Sequence, residues 1–385
     1  TVTNASKTGD FKGISSVQEA KDFLLEVFNS DVPVVAMDTE TTGLYPRDGY
    51  VLGVSISYKR RHGRYIITDV LDDECLELLQ AIINKYDIVF HNMKFDIKMM
   101  EFHLGVKFNR NRVHDTMCMH YDLDESDSHV LKPLALKYTD YGDYDSELDE
   151  YKKSYCSQHG ILLDDFTYDL IPFDIISAYA SIDTAVTLEL YFKFWPIIQA
   201  NTKLLSVYQN ILIPGTLFLM DMEEVGIPIC RTRMSAADKY LEKEVHAAKE
   251  SLYGFEAIKN YESDAGTIFN PNSVQQIRKV LFDYVGLNPT GKLTKAGAIS
   301  TDAEVLEELA EQHPLPKTLL TMRQLGKVRN TYISKILPEL DRDDRIRTNF
   351  NLIFTTSGRL SSSGKFNAQQ IPRDDPIIKG CIRAP

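Results

Sequence analysis

The first half of the chain predicts an α/β fold, a mixed sheet flanked by helices, and the second half a mainly α-helical region. Two observations carry this. Between residues 30 and 195, short β-branched runs alternate with longer stretches that are apolar at helical spacing. From about residue 200 the strand signals fade and amphipathic runs dominate.

The runs VVAMD (34–38), VLGVSISY (51–58) and RYIITDV (64–70) predict three strands. The last two are joined by a turn at KRRHG, which assigns His62 to turn chemistry. A helix is expected over 73–85, with Leu76, Leu79, Ile82 and Ile83 on one face. DIVFHN (87–92) predicts a strand leading into a helix over 94–104, and RVHD (112–115) a final strand. A three-strand meander followed by strand–helix units gives a mixed sheet in a layered α/β architecture. Residues 139–174 are Tyr/Asp-rich and poorly periodic, and predict an exposed excursion with short helices. A strong helix over 178–194 is expected to end near Trp195-Pro196. Further on, Asn272 is the expected N-cap, with Gln275 three residues later, and Thr301 with Glu304 forms a capping box. A helix over 319–337 carries Arg323, Lys327 and Arg329 at helical spacing. The domain cut is expected near residue 200.

A chain of 385 residues has room for two or three domains, and 43% hydrophobic with 25% charged residues is ordinary for a globular protein. No membrane span is expected, because the apolar run NILIPGTLFLM (210–220) is short and interrupted by Pro214 and Gly215. The start TVTNASKTGD lacks a basic-then-apolar signal. Five scattered cysteines without a CxxC pair point to reduced thiols in a cytoplasmic setting and away from a zinc site. Charge is unevenly spread. Residues 317–385 hold 13 Lys/Arg against 6 Asp/Glu, a balance of +7; with a net charge of −12, residues 1–316 carry −19. An acidic body with a basic end fits an enzyme that gathers carboxylates around metals and grips an anionic polymer elsewhere. A basic helix face in water fits it as well.

VVAMDTETTG (34–43) carries the first chemistry. In a strand, Asp38 and Glu40 lie side by side on one face, and like charges that close raise each other's pKa. A divalent cation would compensate; on the local sequence alone, two solvated acids at a strand end are the simpler reading. Two further segments shift the balance. Asp96 in HNMKFD falls in the first turn of a helix after a strand, at the sheet edge where α/β ligand sites gather. Tyr179 and Asp183 in YASID are i,i+4 neighbours on a helix that is otherwise apolar there, so an unpaired Asp183 would be costly. Convergent carboxylates with one tyrosine are the parts of a two-metal phosphodiesterase, and oxygen ligands suit Mg²⁺ or Mn²⁺. His91 and His114 each stand singly beside a motif and are expected to be structural.

These three segments resemble the motifs of DEDDy-type 3′→5′ exonucleases, the proofreading domains of DNA polymerase I-like (family A) enzymes. The resemblance implies a ribonuclease H-like fold over roughly 30–195. It implies that Asp38, Glu40 and Asp183 hold one metal, with Asp38 bridging to a second held by Asp96 largely through water. Tyr179 would orient an attacking water whose pKa the first metal lowers; Ala178 in the preceding position excludes the histidine version. Leu44 matches the position that packs on the terminal base, Asn92 one near the substrate strand, and Asp115 a further acid of structural role. Phe95 is expected to add stacking surface for unpaired bases.

The second half is similar to the same family in order: FNPNSVQQIRKVLF, STDAEVLEELAEQHPLP and RQLGKVRNTYISKILP resemble a polymerase thumb, with Lys327 and Arg329 as phosphate contacts. RIRTNFNLIFTTSGRLSSSGKFNAQQIP (345–372) resembles the start of the palm. By that resemblance Arg359 meets the minor groove at the primer terminus, with Asn367 and Gln369 nearby. The spacing from Arg359 to Asn367 is one residue longer than the usual pattern. The expected domains are therefore 1–200 exonuclease, 201–344 thumb and 345–385 beginning of the palm. The sequence ends at IKGCIRAP, before any catalytic palm carboxylate and without fingers, so the expectation is either one subunit of a split polymerase, with a C-terminal polymerase chain as its partner for DNA synthesis, or an N-terminal piece of a longer one. An uncovered strand edge is expected within 345–385, satisfied by a partner, disorder or self-association. Other implied partners are a single-stranded DNA 3′ end and a primer–template duplex; a processivity factor is left open. The implied setting is the cytoplasm of a bacterial or phage-infected cell. A stand-alone exonuclease acting on DNA or RNA is the alternative, although a nuclease has no evident use for the GRLSS…QQIP segment. A catalytically silent DNA-binding or scaffold protein is a third reading, against which the four carboxylates and Tyr179 argue.

Overall fold

Six strands form the main sheet, in the order β1-β4-β3-β2-β5-β6. They are β1 (Asp10–Ile14), β2 (Val34–Thr41), β3 (Val51–Ser57), β4 (His62–Ile67), β5 (Asp87–Phe90) and β6 (Val113–Asp115). This computed structural model describes residues 5–364, 366–372 and 374–382. The meander β2–β3–β4 is antiparallel, whereas β1 joins β4 and β5 and β6 extend β2 in parallel. Val34 to Met37 are wholly buried, as a central strand covered on both faces requires.

The flanking helices are α1 (Val17–Phe28), α2 (Asp73–Lys85), α3 (Met93–His103), α4 (Thr116–Leu123), α5 (Leu131–Tyr138), α6 (Ser146–His159), α7 (Phe173–Ala200) and α8 (Ile213–Val225). Helix α1 packs on α2, and α7 crosses β1, β4, β3 and β2. Glycines set that crossing. A Cβ at Gly63 would lie 2.2 Å from the Ser181 carbonyl oxygen, and one at Gly13 2.2 Å from Ser177 Oγ. Only a bare backbone lets α7 approach so closely.

Several expectations need correction. His62 is not in a turn: it opens β4, is 5% exposed, and its carbonyl accepts from Ser57 Oγ at 2.6 Å. Strand β1, with its weak signal DFKGI, was not expected and is held by pairing with β4. Helix α7 continues past Pro196 to Ala200. The apolar stretch around Pro214 is also unbroken, lying in a helix over Thr202–Val225 that is long and apolar enough, by length and composition only, to cross a membrane. A π-turn over Tyr208–Leu212 opens the helix where the Pro214 ring would otherwise meet the preceding turn. Tyr208, Leu212, Leu217 and Met220 of that helix lie in the sheet's hydrophobic core.

The residues cluster into two compact units, Thr1–Glu224 with Phe350–Ser361, and Val225–Asn349 with Ser362–Pro385. The first therefore reaches beyond residue 200, and it recruits a short segment from the expected palm through Leu352 and Ile353. In the second unit, α9 (Arg231–Gly254) packs on α13 (Pro314–Lys327), with α10 (Glu256–Ala265), α11 (Val274–Lys279) and α12 (Ala303–Leu309) completing the helical set used below. Ser273, not Asn272, caps α11, accepting from the Gln276 N–H; Asp302, not Thr301, caps α12, accepting from the Val305 N–H. Among the described residues, strand pairing within 345–385 is confined to two-stranded sheets. Arg345–Ile346 pairs with Ile227–Pro228, and Pro376–Cys381 forms a helix that buries Ile378 and Cys381.

Candidate active site

Strand β2 outruns its parallel neighbour. Its pairing with β5 ends at Ala36↔Val89, while pairing with β3 continues through Asp38↔Ser55 and Glu40↔Gly53. Beyond Ala36 the exposed edge of β2 meets α3, where Asp96 takes the place of a strand. Its Oδ1 accepts from the Thr39 N–H at 2.9 Å and from Thr39 Oγ1 at 2.7 Å. Asn92 makes the turn from β5 into α3 possible by adopting a left-handed conformation, φ 74°. The N–H groups of Asn92, Met93 and Met117 all donate to Asp115, at 3.0, 2.9 and 2.8 Å, which gives this acid a structural task.

Helix α7 brings the third motif. Carboxylate oxygens of Asp38, Glu40 and Asp183 lie within 4.8 Å of one another. Asp96 is outside that set but close enough to act on Asp38. Burial, then Asp96, Glu40 and Asp183, drive the Asp38 carboxyl well above the usual range, while Lys132 opposes them. Burial and Asp183 do the same to Glu40. Burial pushes Asp96 to about 7 despite the Thr39 hydrogen bonds. Repulsion among buried acids is relieved by a shared proton or by a cation, and an all-oxygen donor set would suit a hard divalent ion. The Tyr179 hydroxyl is driven far up by burial, then by Asp183 and Glu40, and so stays protonated.

Four partners escaped the sequence reading. The Lys132 ammonium donates to Asp183 Oδ1, and the Tyr144 hydroxyl donates to the same oxygen at 2.5 Å. Lys152 donates to the Tyr168 hydroxyl at 2.8 Å, and Glu40 acts on both. Tyr144, Lys152 and Tyr168 belong to the excursion 139–174, whose richness in tyrosine was the available signal.

The remaining expected residues divide. Leu44, 74% exposed, stands in the turn after β2. Asn92 is exposed, whereas Phe95 is partly buried against the core and presents only part of its ring. His91 bonds Thr116 Oγ1 at 2.8 Å, and His114 bonds the Tyr208 hydroxyl at 3.2 Å and packs on Trp195.

Residues 11–199 match the family model "3'-5' exonuclease", and residues 238–384 match the model "DNA polymerase family A". The chain belongs to the family A DNA polymerases. The DNA polymerase of Escherichia phage T5 is 51% identical across 99% of this chain and 45% of its own length. DNA polymerase I of Chloroflexus aurantiacus is 30% identical across 89% of this chain and 35% of its own. The chain thus spans less than half the length of these family A relatives. Among solved structures, the POL domain of Pol1 from M. smegmatis, in complex with DNA primer-template and dNTP, superposes with a TM-score of 0.68 at 24% identity. That match covers 96% of this chain and 58% of the other, and shares the fold.

In family A terms, the primer-sensing candidates fall into different units: Arg359 in the first, Asn367 and Gln369 in the second. Arg359 is exposed. Asn367 Oδ1 accepts from the Gln369 N–H at 3.1 Å and from Ser362 Oγ, so this oxygen is engaged in its own turn. Lys327 is exposed, but Arg329 bonds Asp238 and Glu242, each at 2.9 Å. Two acids already answer that guanidinium, which counts against Arg329 as a phosphate contact.

Proposed function

We propose that this chain is the proofreading and primer-binding portion of a family A DNA polymerase, hydrolysing phosphodiester bonds at DNA 3′ ends with divalent metal. The convergence of Asp38, Glu40 and Asp183, with Tyr179 one turn before Asp183, carries the reading. Asp38, Glu40 and Asp183 would hold one Mg²⁺ or Mn²⁺, and Asp38 with Asp96 a second. Bound there, the ions supply Lewis acidity at the phosphoryl oxygens and lower the pKa of an attacking water.

The chain's own groups do the rest. Thr39 fixes the Asp96 carboxylate in place. Tyr179, held protonated by burial, offers a hydroxyl that can donate to or accept from a water and so aim it. Leu44 offers an apolar surface to the last base. An unpaired 3′ end reaches such a pocket more readily than a paired one, so selection is by fraying rather than base identity. Exposed Lys327 and Arg359 are the stronger candidates for duplex contacts, with Asn367 and Gln369 beside the primer end. DNA synthesis requires the rest of the relatives' length, in the same or a separate polypeptide, working in the cytoplasm.

The test uses a 5′-labelled single-stranded oligonucleotide. Stepwise shortening from the 3′ end is expected with Mg²⁺, and none with EDTA. Asp38→Ala should lower the rate on the order of 10³-fold, since metal catalysis supplies several kcal/mol. An oligonucleotide left intact with both Mg²⁺ and Mn²⁺ overturns the nuclease; primer extension by this chain alone overturns the division of labour.

A further inference from the structure

Lys132 sits at the start of α5 in the otherwise apolar run VLKPLAL. A lysine there ordinarily lays its stem on the apolar surface and turns its ammonium to water. This one reaches the acid cluster instead. Its Nζ donates to Asp183 Oδ1 and lies 4.0 Å from the centre of the Tyr144 ring and 4.1 Å from that of Tyr179. Each ring face attracts the cation, and the carboxylate holds it from a third side. One side chain therefore touches both the acid that would ligate metal and the tyrosine that would aim water.

We propose that Lys132 is a positioning residue of the exonuclease site, holding the Asp183 carboxylate and the Tyr179 ring in one arrangement and adding a fixed positive charge to the cluster. The inference rests on the exonuclease reading above. Charge supports it. Lys132 opposes the repulsion at both Asp38 and Glu40 and touches the carboxylate of Asp183, whereas Lys152 acts on Glu40 and donates to the Tyr168 hydroxyl. The same ammonium has an opposite effect on ion affinity, because it repels a divalent ion and draws on the same Asp183 oxygen. Removing the charge should therefore tighten ion binding while slowing hydrolysis. Loss of the fold, or of the site, cannot produce that pair of changes.

The experiment uses the full chain. Lys132→Met keeps the stem against both rings and removes the charge; Lys132→Arg keeps the charge. Mn²⁺ binding is measured by calorimetry without DNA, and hydrolysis with a 5′-labelled single-stranded oligonucleotide. Lys132→Met should bind Mn²⁺ at least about threefold more tightly, from the loss of charge repulsion. Its kcat should fall about tenfold or more with KM within about twofold, the mark of lost positioning. Lys132→Arg should restore the wild-type Mn²⁺ affinity and part of the rate. Unchanged or weaker Mn²⁺ binding by Lys132→Met, or a wild-type kcat, overturns the proposal. If Lys132→Met does not fold, Lys132→Gln takes its place under the same criteria. Should the wild-type chain fail to shorten the oligonucleotide at all, the exonuclease reading falls, and with it the positioning role; the Mn²⁺ comparison then reports only the charge.

Discussion

His62 shows how a single side chain ties stability to pH. Its ring packs on Phe23 and Tyr58, its Nε2 lies 3.9 Å from Asp10 Oδ2, and its Nδ1 is buried without a hydrogen-bond partner. Burial, reinforced by Arg64 and Lys59, lowers its pKa from 6.5 to about 4. The unfolded chain therefore takes up a proton near pH 6.5 that the fold refuses until about pH 4. Stability from His62 is complete above 6.5 and lost as pH falls toward 4, a difference on the order of 3 kcal/mol. Urea melts at pH 7 and pH 5 should show a smaller loss for His62→Phe than for the wild type. An equal loss would place the pH sensitivity elsewhere. The sequence RRHGR read as a turn because Gly and a charge run surround the histidine; only pairing with β1 and β3 makes it a strand.

At the scale of elements, the site depends on how closely α7 lies against the sheet. Ser181, whose carbonyl meets Gly63, stands midway between Tyr179 and Asp183. Gly63→Ala should therefore cost about 1–3 kcal/mol through overpacking. Under the proposed nuclease function it should also slow oligonucleotide hydrolysis by about 10–100-fold, as the helix shifts Tyr179 and Asp183. Thermal melting and kcat on the same preparation check both. A normal rate with lowered stability would show that α7 moves without carrying the site. The local periods made these elements readable: Asp-x-Glu follows the two-residue repeat of a strand, and Tyr-x-x-x-Asp the turn of a helix. Lys132 could not be read this way, since its meaning comes from α5 lying beside α7.

For the molecule as a whole, the first unit is completed by a segment from far along the chain. Glu223, 3% exposed, accepts from Lys94 at 2.5 Å, Lys98 at 2.9 Å and the Phe350 N–H at 2.6 Å; Lys94 also donates to the Phe350 carbonyl at 2.7 Å. Lys94 and Lys98 flank Asp96 on α3, so one buried knot joins that helix, α8 and the segment leading to Arg359. Glu223→Gln would leave two ammonium groups facing a neutral amide. The expected loss is about 3–5 kcal/mol, with faster tryptic cleavage at Arg359 as the segment loosens. Unaltered melting and cleavage would mean that the knot is not what fastens it.

The sheet-and-helix character of the first half and the candidate acids were legible in the sequence alone, because strand and helix periods are written in neighbouring residues, and the resemblance of the motifs pointed to the family. Tertiary structure alone decided that the first unit runs past residue 200 and borrows residues 350–361, that Arg329 is already paired, and that Lys132 stands against Asp183. Burial and charge pairing depend on which distant surfaces meet, and no local repeat encodes that meeting.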